Sequence, residues 1–176
     1  MRSKKIYDEI LEATNQVYGE LLPGRRRKAT GALAVEVIRK HLLKAKIPIS
    51  PRDVYIKGNP TEIDILVPRP GVRPYLGVIY NPEDVIAVLE IKYSGVYSQD
   101  SSRNIADTFR ALKALNQHMK CVYLTVCENK DLSYRVTSKK LGFQAFTLCW
   151  VNSTRTNVKP ADEWQAVVDY LGALLK

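Results

Sequence analysis

The sequence is poor in the residues that bind zinc or form disulfides. Its three cysteines, Cys121, Cys127 and Cys149, are an odd number and lie in apolar runs at no metal-ligand spacing, so we expect buried, reduced thiols. The two histidines, His41 and His118, lie in helix-like segments with no histidine or cysteine partner nearby. These absences argue against a zinc site and against a disulfide framework.

The chain also has no segment suited to entering or crossing a membrane. No apolar run approaches the roughly 18 to 20 residues that a membrane span needs. The N-terminus, MRSKKIYDEILEATNQ, carries charges but no following apolar stretch of a secretory signal. We therefore expect a cytoplasmic protein without a membrane partner.

What the sequence does have is an excess of positive charge on a chain of single-domain size. Lys and Arg number 27 against 18 Asp and Glu, a net charge of +9. This balance favours a polyanionic partner, with nucleic acid ahead of an anionic membrane. The 176 residues, 45% of them hydrophobic, fit one domain with a sizeable core. We divide this domain into an N-terminal helix (1–24), a motif-bearing core (29–127) and a C-terminal strand and helix (128–176).

Apolar periodicity predicts helices alternating with short strands. The predicted helices are 4–22, ended by Pro23 and Gly24, then about 29–44, 101–119 and 161–175, the last with acid in its first turn. The predicted strands are DVYIKG and TEIDILVP, read as a hairpin across Gly58 to Pro60, and the apolar runs beginning VIAVLE, CVYLTVC and FQAFTLCWV. The segment from Pro68 to Pro82 is predicted to be an exposed loop. The order predicts an α/β fold, a mixed central β-sheet of about five strands flanked by helices.

Two opposite charges end the most apolar strand. The run Val85–Leu89 is rich in β-branched residues and typical of a strand buried on both faces, and Glu90, Ile91 and Lys92 follow it. Because side chains alternate along a strand, Glu90 and Lys92 share a face. They are either a structural ion pair or half of a site. The five apolar residues before them make an edge strand a poor fit, which favours the site.

A further carboxylate stands in the strand TEIDILV. Asp64 lies between Ile63 and Ile65, and a buried aspartate is costly unless it is paired or binds a cation. If this strand neighbours the one above, Asp64 lies beside Glu90 and Lys92. One lysine cannot neutralise two carboxylates, whereas a divalent cation of the Mg²⁺ type can, using one or two carboxylates with water and phosphate.

The arrangement of Asp64, a long gap and then Glu90-Ile91-Lys92 resembles the motif of the PD-(D/E)xK nuclease superfamily. The resemblance spans about residues 29 to 127, and its layout is nearest to Holliday-junction-resolvase-type and small restriction nucleases. Ile63 stands where the name of the motif has proline. The resemblance implies a restriction-endonuclease-like fold and a metal-dependent DNA endonuclease, commonly a homodimer.

The resemblance also implies roles for individual residues. Asp64 and Glu90 would bind Mg²⁺, with Mn²⁺ able to substitute, helped by Glu36 on the preceding helix and by the carbonyl of Ile91. Lys92 would position or activate the water that attacks phosphorus. For Glu36 a solvent-facing position is an equal alternative, since a single helix glutamate usually faces water.

Candidate DNA contacts lie on either side of this motif. Arg25, Arg26, Arg27 and Lys28 stand near a helix start, where the helix dipole disfavours positive charge, so phosphate contacts would offset that cost. A solvated basic loop is the alternative. Beyond the strand, Ser94, Gln99 and Arg103 have groups that bind phosphates or base edges, although loops commonly contain such residues.

Two other functions stay open at this point. One is a DNA-binding module of the same fold that does not cut. The other is a metal-free structural domain whose basic surface meets a partner protein. The three costly groups at Asp64, Glu90 and Lys92 count against the binding module. The structural domain predicts no effect of magnesium on stability, whereas the nuclease predicts a measurable one.

Overall fold

The computed structural model describes residues 2–19, 23–94, 99–129, 143–152, 154 and 157–176, without the side chains of 23–27 and 99–103. The helices are α1 (Arg2–Tyr18), α2 (Pro23–Lys44), α3 (Gln99–Leu115) and α4 (Trp164–Ala173). The strands are β1 (Tyr55–Ile56), β2 (Ile65–Pro68), β3 (Ile79–Tyr80), β4 (Val85–Ser94), β5 (Lys120–Asn129), β6 (Gln144–Val151) and β7 (Val158–Pro160). A 3-10 turn at Pro82–Asp84 leads into β4.

The centre of the fold is a five-stranded mixed sheet in the order β2-β4-β5-β6-β7. Strands β4, β5 and β6 run parallel, and β2 and β7 pair antiparallel with β4 and β6. This confirms the predicted mixed sheet of about five strands. Strand β4 is an interior strand, which explains why its first residues are apolar on both faces.

Helices cover both faces of this sheet. One apolar cluster joins α1, α2 and α4 to the strands through residues such as Ile38, Leu89 and Val167. A second cluster joins α3 to the other face, where Phe109 packs with Val88 and its neighbours. The three cysteines are buried thiols within these clusters, as predicted.

The junction of α1 and α2 differs from the prediction. Pro23 is the first residue of α2 instead of the end of the preceding helix. Proline suits that position because the first helical residues have no intrahelical partner for their N–H groups and the ring fixes a helical φ. The basic run 25–28 therefore lies inside α2, and α2 begins earlier than residue 29.

The predicted hairpin of DVYIKG with TEIDILVP is wrong. Those segments share only an isolated bridge between Val54 and Ile63. Strand β1 pairs instead in parallel with β3, in a separate two-stranded sheet, and β3 lies within the segment predicted to be a loop. The N–H of Tyr55 donates to the carbonyl of Val78 at 2.8 Å, so this later segment takes the hydrogen bonds that a hairpin would have used.

The C-terminal region also departs from the prediction. Strand β7 was not predicted, and α4 begins at Trp164, so no acid lies in its first turn. Asp162 has a φ of +55°, in the left-handed region, which stops the helix from starting there. Glu163 precedes the helix, and its carboxylate accepts the N–H of Thr147 in β6 at 2.8 Å.

Across the residues described, we find no helix both long enough and apolar enough to span a membrane.

Candidate active site

Asp64 and Glu90 come together because β2 and β4 are antiparallel neighbours. Ile65 pairs with Leu89, and one further step in this register places Asp64 opposite Glu90 on the same face. Asp64 lies just before β2, and its Oδ2 accepts the backbone N–H of Ile91 at 2.7 Å. The long gap in sequence between the two carboxylates is thus closed by a single pair of strands.

Lys92 stands next to these carboxylates. Its Nζ donates a hydrogen bond to Oε1 of Glu90, two residues away on the same face of β4. The lysine side chain is 40% exposed and that of Glu90 24% exposed. The ion pair therefore exists, but on an interior strand and with access to solvent, so it does not exclude a site.

The negative charge of Asp64 is poorly compensated by its surroundings. Burial, and after it the nearby Glu90 carboxylate, raise the pKa of Asp64 from 3.8 to about 6, while the N–H of Ile91 and Lys92 act in the opposite direction. A raised carboxyl pKa means that the negative charge costs free energy where it stands. A cation beside Asp64 would relieve that cost. Carboxyl groups with strongly shifted pKa values are typical of functional sites.

A cavity of about 860 Å³ opens beside Asp64 between α2 and the ends of β2 and β4. Of the predicted site residues, this large cavity is lined by Lys28, Glu36, Asp64, Ile91, Lys92 and Ser94. A small cavity of about 370 Å³ lies on the α3 side and is lined by Glu90 and, again, Lys92. Because Lys92 borders both cavities, its ammonium group can face a ligand in either of them.

Glu36 lines the large cavity but is not gathered with the other two carboxylates. It forms an ion pair with Arg52, and its side chain is 45% exposed. Among the residues that the structure describes, no three His, Cys, Asp or Glu side chains are close enough to hold a metal ion together. Asp64 and Glu90 are thus the two carboxylates that the sheet register brings together. Two carboxylates suit Mg²⁺, which usually keeps several waters and takes its remaining ligands from phosphate.

The structure describes only two of the side chains that we predicted to contact DNA. Lys28 is exposed and Ser94 is partly buried, and both border the large cavity. The side chains of Arg25, Arg26, Arg27, Gln99 and Arg103 lie outside the described residues, although their backbones belong to α2 and α3. Their proposed contacts therefore stay predictions.

Sequence reasoning missed several polar residues around the two cavities. Arg52 and Asp53, between α2 and β1, line the large cavity. Asn104 and Thr108 of α3 line the small one. The available signal was weak: a charged Arg-Asp pair directly after Pro51 and before an apolar strand.

Two buried threonines lie beside Lys92 in the register of the sheet. Lys92 is in register with Thr125 of β5, and Thr125 with Thr147 of β6. The two threonine hydroxyls lie 2.8 Å apart, and Thr125 also donates to the buried carboxylate of Glu128 at 3.3 Å. A single threonine inside each of two apolar runs was the sequence signal for this pair.

Comparison with known proteins identifies the fold. No protein-family model matches the chain, and the curated proteins gave no significant match. Among solved structures, NucC of E. coli MS115-1 bound to cAAA is similar with a TM-score of 0.61 and 15% identity, over 97% of this chain and 88% of NucC. NucC of P. aeruginosa ATCC27853 bound to cAAA gives 0.57 and 14%, over 98% and 87%. Apo NucC of E. coli MS115-1 gives 0.57 and 15%, over 97% and 89%. The fold of this chain is therefore similar to that of NucC along nearly the full length of both.

Proposed function

We propose that the protein is a metal-dependent DNA endonuclease. The observation that carries the proposal is the juxtaposition of Asp64, Glu90 and Lys92 on neighbouring strands. Asp64 and Lys92 line the large cavity, and Glu90 lines the small cavity beside it. Two carboxylates that repel each other and a lysine within reach are the groups that phosphodiester hydrolysis with a hard cation requires.

Each residue has a proposed role in this reaction. Asp64 and Glu90, with the carbonyl of Ile91, hold Mg²⁺, for which Mn²⁺ substitutes, and Glu36 joins them when its ion pair with Arg52 opens. When bound, the cation would act as a Lewis acid on the phosphate and would lower the pKa of water. Lys92, released from Glu90, would position the attacking water or stabilise the charge that builds on the phosphate. Cleavage then yields a 3′-hydroxyl and a 5′-phosphate.

The positive charge of the chain supports DNA as the substrate. A net charge of +9 gives a field that attracts a polyanion, and Lys28 stands at the large cavity. We propose that Arg25, Arg26, Arg27, Ser94, Gln99 and Arg103 add further contacts to the DNA. We further propose a cytoplasmic homodimer, in which two sites face the two strands of a duplex; light scattering in solution tests the dimer.

The test of this function is cleavage of labelled linear duplex, supercoiled plasmid, four-way junction and single-stranded DNA with Mg²⁺ or Mn²⁺. Because two similar structures hold cAAA, each reaction is run with and without it. We expect metal-dependent cutting that Asp64→Ala and Lys92→Ala each reduce by at least about a hundredfold. Asp8→Ala and Lys4→Ala break a comparable acid–lysine pair on α1 and serve as controls that retain activity.

A DNA-binding module that does not cut is a second candidate, and one observation favours it. Each of the three carboxylates proposed as metal ligands already has a partner inside the protein: the N–H of Ile91 for Asp64, Lys92 for Glu90 and Arg52 for Glu36. This candidate predicts no cleavage of any substrate under any condition, with DNA binding that Asp64→Ala and Lys92→Ala leave unchanged.

A further inference from the structure

The turn at residues 50–54, between α2 and β1, is anchored from two sides. Arg39 of α2 donates from Nη2 to the carbonyl of Ser50 at 2.6 Å, and the N–H of Ser50 donates to the carbonyl of Leu66 in β2 at 2.8 Å. Farther along, the carbonyl of Val54 accepts the N–H of Ile63 at 3.1 Å. The residues between these anchors are therefore held in a fixed position relative to Asp64, which lies between Ile63 and β2.

Arg52 and Asp53 occupy this anchored turn. Asp53 has a φ of +54°, in the left-handed region, a conformation that costs a non-glycine residue free energy and persists where its surroundings fix it. Both residues border the large cavity together with Asp64 and Lys92. The turn thus presents a guanidinium group to the same space as the candidate catalytic residues.

The contact that Arg52 makes in the structure is easily exchanged. Its ion pair with Glu36 joins side chains that are 62% and 45% exposed, and exposed pairs of this kind contribute little to stability. A guanidinium group binds a phosphate through two parallel hydrogen bonds. A phosphate that enters the cavity therefore offers the Arg52 guanidinium a partner of at least equal strength.

We propose that Arg52 is a substrate-binding residue that exchanges Glu36 for a backbone phosphate of the DNA at the large cavity. The inference rests on the proposed function and adds a residue to it. The exchange also releases the Glu36 carboxylate from its ion pair. Binding of the DNA and release of this carboxylate therefore occur together.

The test measures DNA affinity in EDTA, where no cleavage occurs, by fluorescence anisotropy of a labelled duplex at several salt concentrations. We expect Arg52→Ala to weaken binding roughly tenfold, since a charge-assisted hydrogen bond is lost. We also expect the slope of log affinity against log salt to become less steep by about 0.9, the value for one phosphate contact. Arg52→Lys should recover part of the affinity.

The partner variant separates this role from a purely structural one. Glu36→Gln removes the competing carboxylate, so it should leave DNA affinity unchanged or raise it. If Arg52 served only to hold Glu36, then Arg52→Ala and Glu36→Gln would have the same effect. Arg110→Ala is the matched control, because Arg110 forms an exposed ion pair with Asp107 on α3 and does not line either cavity.

The outcomes distinguish this inference from the proposed function. Unchanged affinity and salt slope in Arg52→Ala, with a parent protein that binds and cuts DNA, would overturn the inference alone. A parent protein that neither binds nor cuts DNA would overturn both. Thermal unfolding of each variant shows whether it is folded. If Arg52→Ala does not fold, Glu36→Gln still tests the inference.

Discussion

At the scale of single residues, Asp64 carries the most informative physical property. Its carboxylate is partly buried beside Glu90, and its pKa is raised from 3.8 to about 6. Between these two values the folded state binds a proton that the unfolded state has released. The contribution of Asp64 to stability is therefore most favourable below about pH 4 and declines as the pH rises through 6.

This sign gives a prediction for the metal-free protein. Asp64→Asn should raise the free energy of unfolding at pH 7.5 by on the order of 1–3 kcal/mol, since it removes a poorly compensated charge while its amide oxygen can still accept the N–H of Ile91. The gain should shrink as the pH falls from 6 to 4. Urea unfolding in EDTA across this range measures it. Asp107→Asn, at an exposed ion pair, should change the free energy of unfolding at pH 7.5 by less than about 0.5 kcal/mol. A pH-independent effect of Asp64→Asn would contradict the raised pKa of Asp64.

The same scale shows what a single sequence can and cannot predict about the candidate site. Alternation along a strand predicted that Glu90 and Lys92 share a face, and their ion pair agrees with it. The position of Asp64 followed once its strand was taken to neighbour β4. The pairing of Glu36 with Arg52 could not be predicted in the same way, because it depends on where α2 ends and how the next turn folds back.

At the scale of elements, α1 is attached to α2 by a polar contact as well as by the core. Glu9 accepts a hydrogen bond from Lys40 through Oε1, and its Oε2 lies 2.8 Å from Nε2 of His41. Lys40 first, and His41 after it, lower the pKa of Glu9 from 4.5 to about 2. The ionised carboxylate therefore stabilises the packing of these two helices.

We expect Glu9→Gln to lower the free energy of unfolding at pH 7 by about 1 kcal/mol, the value of a charge-assisted contact that is still partly open to solvent. Because the pKa of Glu9 is lower in the folded state, its contribution is present above about pH 4.5 and is lost as the pH falls toward 2. Urea unfolding at pH 7 and pH 2.5 tests both statements. Asp8→Asn, one residue away in an exposed pair with Lys4, should change the stability by less than about 0.5 kcal/mol. Equal effects of Glu9→Gln at both pH values would contradict the assignment.

Element length decided which strands the sequence could predict. The 10-residue strands β4 and β5 are apolar over enough positions to stand out from the helices. Strands β1, β3 and β7 have two or three residues and no measurable period. Their pairing, including the parallel pair of β1 with β3, is set by contacts between distant segments of the chain, which local pattern does not contain.

At the scale of the whole molecule, the fold concentrates negative charge at one place on a positively charged protein. The chain has a net charge of +9, yet Asp64 and Glu90 face each other at the end of the β2–β4 pair. Under the function we propose, the positive surroundings attract the DNA, and the two carboxylates attract the divalent cation that accompanies a phosphodiester.

Binding of the cation alone should therefore stabilise the whole fold. With free Mg²⁺ at about ten times its dissociation constant, linkage predicts an increase of about 1.4 kcal/mol in the free energy of unfolding. The increase should be smaller at pH 5 than at pH 7.5, because below its pKa of about 6 Asp64 must first lose a proton. Urea unfolding with MgCl₂, against NaCl at equal ionic strength, measures it. Asp64→Asn and Glu90→Gln should each abolish the increase, whereas Asp107→Asn should retain it; stabilisation that survives both site variants would locate the cation elsewhere on the protein.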